Sequence, residues 1–206
     1  MMEYYLKNVT SLPDPKVDKA VLEGIPDWRC NYILKYMRPC DRKLSLGVWQ
    51  LLEDSLKQHG FLAENIRIAP NGKLECAGIY FNVSHSGDIA LCALSNTPVG
   101  CDVEKVTSAP MEIAKRYFSD RECQYIESAT SVEEKNRRFF RLWTAKESYV
   151  KMTGEGMSVS PDRVEINIDM LTVYRDSVAQ PCCTLKNISC KDYEITICVE
   201  ALSNTT

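Results

Sequence analysis

The strongest constraint on the fold is a repeated order of predicted elements: in each half, a helix is followed by short strands. In the first half, five leucine and valine positions between residues 41 and 59 lie on one helical face. Asp41 is the expected helix cap and Gly60 the expected stop. Strands are predicted after this helix, near residues 66–68, 78–83, 89–94 and 99–106, and a first strand is predicted near residues 4–9.

The second half of the chain repeats this order. Residues 111–118 have a helical pattern. Ser119 and Ser131 are each followed three residues later by glutamate, a pairing that marks helix starts. The last of these helices should end near Gly154. Strands are predicted near residues 164–168, 171–174, 183–188 and 193–199.

Two helix-then-strand units indicate an α+β fold. A chain of 206 residues is long enough to bury a substantial core. We expect two half-domains, residues 1–105 and 106–206, packed against each other with an active site at their interface. Two halves fused in one chain also favour a monomer.

Composition limits the class of protein. Apolar residues make up 45% of the chain and charged residues 26%, the usual balance of a soluble globular protein. No apolar run is long enough to span a membrane, and the first residues lack the pattern of a secretory signal. The 10 cysteines include no zinc-type spacing. We therefore expect a reduced cytoplasmic protein with no membrane partner.

Charge is unevenly distributed. The net charge is −3, yet residues 28–43 and 135–151 are both rich in lysine and arginine. Local basic patches in an acidic protein suit a compact anionic ligand better than a nucleic acid. Taken alone, they are equally consistent with two solvated helix faces.

Asp102 and Glu104 form the first candidate site. Side chains alternate along a strand, so Gly100, Asp102 and Glu104 share one face, and the carboxylates are about 6.5 Å apart. Two such carboxylates suit Mg²⁺, which also takes phosphate oxygens and water, and the missing side chain of Gly100 leaves room beside them. The alternative is a solvent-facing edge strand.

Glu147 and Lys151 form the second candidate site. They are four residues apart, with Trp143 one turn earlier, so the three lie on one helical face. The glutamate could act as metal ligand and general base, and the lysine could offset charge on a leaving phosphate. Lys146 points to a neighbouring face and could reach another phosphate oxygen. The alternative is an ordinary surface ion pair.

His85 lies between Ser84 and Ser86 at a predicted strand end. Hydroxyls, an imidazole and turn N–H groups there could cradle a phosphate. A histidine that merely satisfies a turn is the alternative. A Ser-His-acid hydrolase is disfavoured, because adjacent Ser84 and His85 point in different directions and no Gly-x-Ser-x-Gly elbow occurs.

In order and spacing, these motifs resemble the central blocks of the Sfp-type 4′-phosphopantetheinyl transferases. The three blocks are Asn82-Val83-Ser84-His85-Ser86, Gly100-Cys101-Asp102-Val103-Glu104 and Trp143-Thr144-Ala145-Lys146-Glu147-Ser148-Tyr149-Val150-Lys151. The residues from Glu112 to Ser119 also resemble the family segment that follows the second block. The resemblance is good from about residue 26 to residue 156 and weaker beyond.

The resemblance implies a pseudo-symmetric pair of half-domains with coenzyme A between them. It implies a transferase, a holo-[carrier-protein] synthase, that moves 4′-phosphopantetheine from coenzyme A to a serine of an apo acyl or peptidyl carrier protein and releases 3′,5′-ADP. Such enzymes serve fatty-acid, polyketide or nonribosomal peptide synthesis. Mg²⁺ is the implied metal, with Mn²⁺ as the alternative ion, since oxygen ligands suit both.

Roles carry over by motif. The implied metal ligands are Asp102, Glu104 and Glu147. The implied catalytic residues are Glu147 as base and Lys151 as the group assisting the departing phosphate. The candidates for coenzyme A binding are Arg29, Arg38, Lys43, Lys73, Ser84, His85, Lys146 and Lys151, with Arg29, Arg38 and Lys43 proposed for its 3′-phosphate. The candidates for carrier binding are Met111, Ile113, Lys115, Arg116, Tyr117 and Phe118.

Some positions depart from the family pattern. Relatives often carry lysines where Trp28 and Asn31 stand, and Leu74 replaces the usual proline after Asn71-Gly72-Lys73. The apolar carrier-binding candidates could instead belong to the protein's own core. Two rival functions are a non-catalytic protein that binds coenzyme A or carriers, and a phosphodiesterase that removes phosphopantetheine from carriers.

Overall fold

The computed structural model describes residues 2–70, 72–155 and 160–201. Within these ranges the helices are α1 (Asp27–Leu34), α2 (Pro39–Gln58), α3 (Met111–Tyr117), α4 (Asp120–Glu127) and α5 (Val132–Thr153). The strands are β1 (Met2–Asn8), β2 (Ile66–Ile68), β3 (Leu74–Cys76), β4 (Tyr80–Ser86), β5 (Ile89–Ser95), β6 (Val99–Lys105), β7 (Val164–Asn167), β8 (Thr172–Arg175), β9 (Val178–Ala179), β10 (Cys183–Cys190) and β11 (Tyr193–Glu200).

The strands pair in antiparallel sheets. The two main sheets have the orders β1-β5-β4 and β10-β11-β6. Two smaller sheets, β2-β3 and β7-β8-β9, flank them. Separate helices with antiparallel sheets confirm the α+β fold.

Helix α2 lies across the first main sheet. Its predicted apolar face is buried there, in a core that includes Leu44, Val48, Leu51, Leu52 and Leu56. The predicted cap is wrong, because the helix begins at Pro39 and Asp41 lies in its first turn, paired with Arg38. Proline suits a first-turn position because the N–H it lacks would have no partner inside the helix.

Helix α5 lies across the second main sheet in the same way. Ser131 caps it by accepting from the Glu134 amide, and Gly154 ends it with a φ of 73°. Ser119 forms the predicted capping box with Glu122 at the start of α4. In both halves, therefore, a long helix covers a three-stranded antiparallel sheet, which is the expected pseudo-symmetric pairing.

Strand β6 is the place where the two halves meet. It ends at residue 105, within the first half, but pairs with β11 of the second half, in the register Asp102–Thr196 and Glu104–Glu194. Strand β4 of the first sheet lies beside it. The division of the chain at residue 105 stays a prediction.

Both faces of β6 are covered, so the alternative of a solvent-facing edge strand is wrong. Val99, Cys101 and Val103 are buried in a core shared with Leu91 and Ile197. The opposite face carries Asp102, only 4% exposed, beneath α5. Burial on both sides explains why so short a strand can hold charged groups in fixed positions.

All ten cysteines are free thiols. Among the helices of the described residues, none is long and apolar enough to cross a membrane.

Candidate active site

A cavity of about 960 Å³ opens between the two halves. Its lining comes from β4, β6 and α5, and from α1, α2 and the β2–β3 hairpin. The lining includes residues from all three predicted motifs: Asn82, Ser84, His85, Asp102, Glu104, Trp143, Glu147 and Lys151. The fold thus brings together motifs that are up to 69 positions apart in the sequence.

Gly100 allows α5 to lie directly on β6. A Cβ atom at this position would overlap the carbonyl oxygen of Ser148 and the amide nitrogen of Met152, and would lie 2.9 Å from the carbonyl carbon of Lys151. The expected open space beside the carboxylates is therefore occupied by the backbone of α5. This close approach is what carries Lys151 to the carboxylate of Asp102.

Lys151 and Asp102 form an ion pair on the cavity floor. The Nζ atom of Lys151 lies 2.6 Å from Oδ1 of Asp102 and also contacts Ser84 Oγ at 3.4 Å and the Cys101 carbonyl at 3.3 Å. Burial lowers the pKa of Lys151, but the Asp102 carboxylate outweighs that effect and holds it above the usual value. Lys151 therefore remains a cation at neutral pH.

Asp102 and Glu104 are each held by a serine of β4. Ser84 donates to Asp102 Oδ1 at 2.8 Å, and Ser86 donates to Glu104 Oε2 at 2.7 Å. Burial raises the pKa of Glu104, while the hydrogen bond from Ser86 lowers it and the nearby Asp102 charge raises it further. The other oxygen of Asp102, Oδ2, is buried and has no hydrogen-bond partner among the described residues.

Glu147 faces the same cavity from α5. Burial raises the pKa of its carboxyl group, with Lys151 opposing and Asp102 adding to the shift. Among the described residues, no hydrogen bond or ion pair holds this carboxylate. One turn earlier, Trp143 stacks parallel to Phe139 at 6.3 Å between ring centroids, which fixes the wall beside Glu147.

His85 lines the cavity at the end of β4. Partial burial lowers the pKa of its imidazole, and the Lys151 charge adds to that effect, so the ring is largely neutral at neutral pH. Ser84 also lines the cavity, but its hydroxyl already serves Asp102 and the Val103 amide. A phosphate contact by Ser84 would have to replace one of these bonds.

Arg29 and Lys73 both line the cavity. The Arg29 guanidinium donates to the carbonyl and hydroxyl oxygens of Ser45, at 2.7 and 3.1 Å. Its buried Nε has no hydrogen-bond partner in the part of the chain that the structure describes. Lys73 Nζ lies 3.5 Å from the Lys151 carbonyl. Asn71, quoted with Lys73 in the sequence block, lies outside the described residues.

Three predicted coenzyme-binding cations do not reach the cavity. Lys146 is 1% exposed and pairs with Glu122 at 2.8 Å, with further bonds to three backbone carbonyls. Arg38 pairs with Asp41, and Lys43 contacts the Thr10 carbonyl, outside the cavity lining. For Lys146 the reason is helical spacing, since it follows the buried Leu142 by one turn and so points into the core.

The predicted carrier-binding residues divide between core and surface. Phe118 is buried in the core, and Met111, Ile113 and Tyr117 are partly buried and pack against it. Contact of these side chains with a carrier stays a prediction. Lys115 and Arg116 are exposed. Lys115 lies 3.8 Å from Glu112, and the Arg116 guanidinium lies over the Tyr117 ring.

The carboxylates fit a metal ion only in part. Within the described ranges, no group of three or more histidine, cysteine, aspartate or glutamate side chains has metal-binding geometry. The unpartnered, buried Oδ2 of Asp102 is nevertheless the kind of acceptor that a cation satisfies. Oxygen atoms of Asp102 and Glu104 suit a hard ion such as Mg²⁺, which needs only one or two protein carboxylates when phosphate is bound.

Sequence reasoning missed an aromatic wall. Trp28 and Tyr32 of α1 line the cavity together with Tyr36, which follows the helix. Their spacing of four residues was the available signal, because residues four apart share a face of a helix. The wall went unnoticed because α1 itself was not predicted.

Comparison with known proteins finds relatives of one family. Residues 98–198 match the 4′-phosphopantetheinyl transferase superfamily. The 4′-phosphopantetheinyl transferase gsp of Aneurinibacillus migulanus is 34% identical over 105 residues, covering 50% of this chain and 44% of that protein. The 4′-phosphopantetheinyl transferase Sfp of Bacillus subtilis strain 168 is 38% identical over 89 residues, covering 43% and 39%.

A crystal structure of the Thermotoga maritima holo-[acyl-carrier-protein] synthase is a distant structural neighbour, with a TM-score of 0.39 and 17% identity, covering 51% of this chain and 63% of that one. The matched segments span 44% and 39% of the lengths of the two curated relatives. The segment of residues 98–198, which includes the Asp102, Glu104, Glu147 and Lys151 cluster, is thus similar to the 4′-phosphopantetheinyl transferase superfamily.

Proposed function

We propose that this protein transfers 4′-phosphopantetheine from coenzyme A to a serine hydroxyl of an apo acyl or peptidyl carrier protein. The carrier's serine oxygen forms a new bond to the phosphorus next to the pantetheine arm. The pyrophosphate bond breaks, and 3′,5′-ADP leaves. The observation that carries the proposal is the convergence of Asp102, Glu147 and Lys151 in one cavity, within a segment that matches this superfamily.

Glu147 is the proposed proton acceptor. Its carboxylate faces the cavity without a hydrogen-bond partner among the described residues, and burial raises its pKa. A base with a raised pKa takes a proton more readily at neutral pH. In this role Glu147 receives the proton of the attacking serine, directly or through one water molecule.

Lys151 is the proposed partner of the leaving group. Its raised pKa keeps it positively charged, and two of its three contacts, those to Ser84 and the Cys101 carbonyl, are long. A phosphate oxygen could replace those contacts while the Asp102 pair remains. The ammonium would then offset the charge that develops as 3′,5′-ADP departs.

Asp102 and Glu104 are the proposed metal-holding residues, with Glu147 contacting the ion directly or through water. A bound Mg²⁺ or Mn²⁺ would supply charge neutralisation for the pyrophosphate. For coenzyme A we retain Arg29, Lys73, Ser84, His85 and Lys151, and we withdraw Lys146, Arg38 and Lys43. For the carrier we retain exposed Lys115 and Arg116, whose charge suits an acidic partner surface. We further propose a cytoplasmic monomer.

Product analysis tests this reaction against hydrolysis. The protein is incubated with coenzyme A, Mg²⁺ and an apo carrier, and small molecules are separated chromatographically. We expect 3′,5′-ADP in amounts equal to the modified carrier, and none with EDTA. Free phosphopantetheine released from a holo carrier, with no 3′,5′-ADP formed, would instead identify a phosphodiesterase.

A further inference from the structure

A polar seam joins the two main sheets where β4 lies beside β6. Within the described residues, these edge strands share no backbone ladder. Instead, side-chain oxygens of β4 accept hydrogen bonds from backbone amides of β6. Asn82 Oδ1 accepts from the Cys101 amide at 3.0 Å. Ser84 Oγ accepts from the Val103 amide at 3.4 Å, and Ser86 Oγ accepts from the Lys105 amide at 3.1 Å. Side chains alternate between the two faces of a strand, which explains why every second residue of this motif is polar and bonds to β6.

Each serine of the seam also holds a carboxylate. A hydroxyl has one proton and two lone pairs. Because each serine oxygen accepts from a backbone amide, its proton is free to go to the carboxylate, Ser84 to Asp102 Oδ1 and Ser86 to Glu104 Oε2. In both pairs a single carboxylate oxygen is held, and the other is left for a ligand.

We propose that Ser86 is a positioning residue for metal binding at Glu104. Its hydroxyl links a fixed backbone amide to Oε2 and so holds the carboxylate with Oε1 available to a cation in the cavity. Groups that orient a metal-binding carboxylate commonly change metal affinity by about 10- to 100-fold when removed. This inference rests on the proposed function.

Ser86 is a cleaner test than Ser84. Ser84 also contacts Lys151, so its removal would disturb the ion pair with Asp102. Ser86 makes only the bonds to Glu104 and to the Lys105 amide among the described residues. A change at Ser86 therefore acts on the metal site through Glu104.

The probe is Mn²⁺ alone, added to the full chain and followed by the loss of its free-ion electron paramagnetic resonance signal. Ser86→Ala should weaken Mn²⁺ binding about tenfold, and Ser86→Thr, which keeps a hydroxyl, should restore it. The matched control is Ser95→Ala, which removes a hydroxyl that accepts from the Thr97 amide and touches no carboxylate. Its Mn²⁺ affinity should equal that of wild type.

Transfer kinetics provide the second readout. Ser86→Ala should raise the KM for Mg²⁺, leave the KM for coenzyme A unchanged and recover most of its kcat at saturating metal. Equal Mn²⁺ binding by Ser86→Ala and wild type would overturn the inference. So would equal losses in Ser86→Ala and Ser86→Thr accompanied by a lowered unfolding temperature, because that pattern describes a structural role. A wild-type protein that binds Mn²⁺ but shows no transfer would overturn the proposed function alone.

Discussion

At the scale of single residues, the charged side chains of the candidate site differ in whether they have an ion-pair partner. Asp102 and Lys151 neutralise each other at 2.6 Å, whereas Glu147 on the same helix face has no such partner among the described residues. The sequence placed Glu147 and Lys151 on one face correctly. It could not show that Lys151 would pair across to β6 rather than along the helix to Glu147, since that depends on the approach of α5 at Gly100.

Glu147→Gln tests the role of the unpaired carboxylate. The amide has nearly the same shape but cannot take a proton, so we expect transfer to fall about 100-fold or more while coenzyme A binding is kept. Rates measured at saturating Mg²⁺ and coenzyme A, with binding followed by calorimetry, separate the two effects. Near-normal transfer by this variant would remove Glu147 from the mechanism.

The pH dependence of transfer follows from the same group. Glu147 must be ionised to accept a proton, and burial places its pKa above the usual glutamate value. We therefore expect kcat to rise as pH increases through that raised pKa, and we expect this limb to be missing from the residual activity of Glu147→Gln. A flat wild-type profile between pH 4 and pH 7 would contradict the assignment.

At the scale of elements, helix spacing and caps could be read from the sequence, but the partners of each face could not. The ends of α5, the capping box of α4 and nine of the eleven strands in the described part of the chain were correctly predicted, whereas the short strands β3 and β9 were not. Helix α1 was missed because its eight residues have no side-chain cap and little separation of polar from apolar faces. Lys146 was misplaced because a charged residue was assumed to face solvent or ligand rather than a buried acid.

Gly100→Ala tests how α5 reaches β6. The new methyl group would overlap the backbone of α5, which no side-chain rotation can relieve. Overpacking of this kind costs about 3 kcal/mol at the upper end of the usual range. Urea unfolding should show a larger loss for Gly100→Ala than for Gly24→Ala, where a Cβ meets no neighbour and only the positive φ is unfavourable. Equal losses would show that α5 is free to move away from β6.

A double-mutant cycle on Lys146 and Glu122 tests whether Lys146 stabilises the fold or binds coenzyme A. Both side chains are 1% exposed, and removing one partner of a buried pair costs about 3–5 kcal/mol. In a double-mutant cycle with Lys146→Met and Glu122→Gln, we expect strong coupling. The exposed pair Arg163–Asp176, at 2.6 Å, is the matched control and should couple by about 1 kcal/mol or less. A folded Lys146 variant with normal stability and a raised KM for coenzyme A would return Lys146 to the binding set.

At the scale of the whole molecule, the candidate site lies where the two halves meet. The seam serines come from β4, Asp102 and Glu104 come from β6, and Glu147 and Lys151 come from α5. The sequence could predict two units and a crevice between them. It could not predict that β6, the last strand of the first half, would pair with the sheet of the second.

Acid stability of the whole protein should depend on Asp14. Two hydrogen bonds from Arg42, at 2.7 and 2.5 Å, lower the pKa of this carboxyl from 3.8 to about 2. Because the folded pKa lies below the unfolded one, its stabilisation is complete above the unfolded value and is lost as pH falls toward 2. The difference in unfolding free energy between wild type and Asp14→Asn should therefore shrink from pH 6 to pH 2. When Asp14→Asn is made in an Arg42→Met background, the difference in unfolding free energy should not change with pH. If that difference is also constant with pH in the presence of Arg42, the Asp14–Arg42 pair does not determine acid stability.

The central claim is that the cavity between the halves transfers phosphopantetheine from coenzyme A to a carrier protein. The most direct measurement is the intact mass of an apo carrier after incubation with the protein, coenzyme A and Mg²⁺, with EDTA and Glu147→Gln as controls. We predict a mass gain of one phosphopantetheine group on the carrier, lost with EDTA and strongly reduced with Glu147→Gln. No gain across apo carriers from fatty-acid, polyketide and peptide synthesis would contradict the claim.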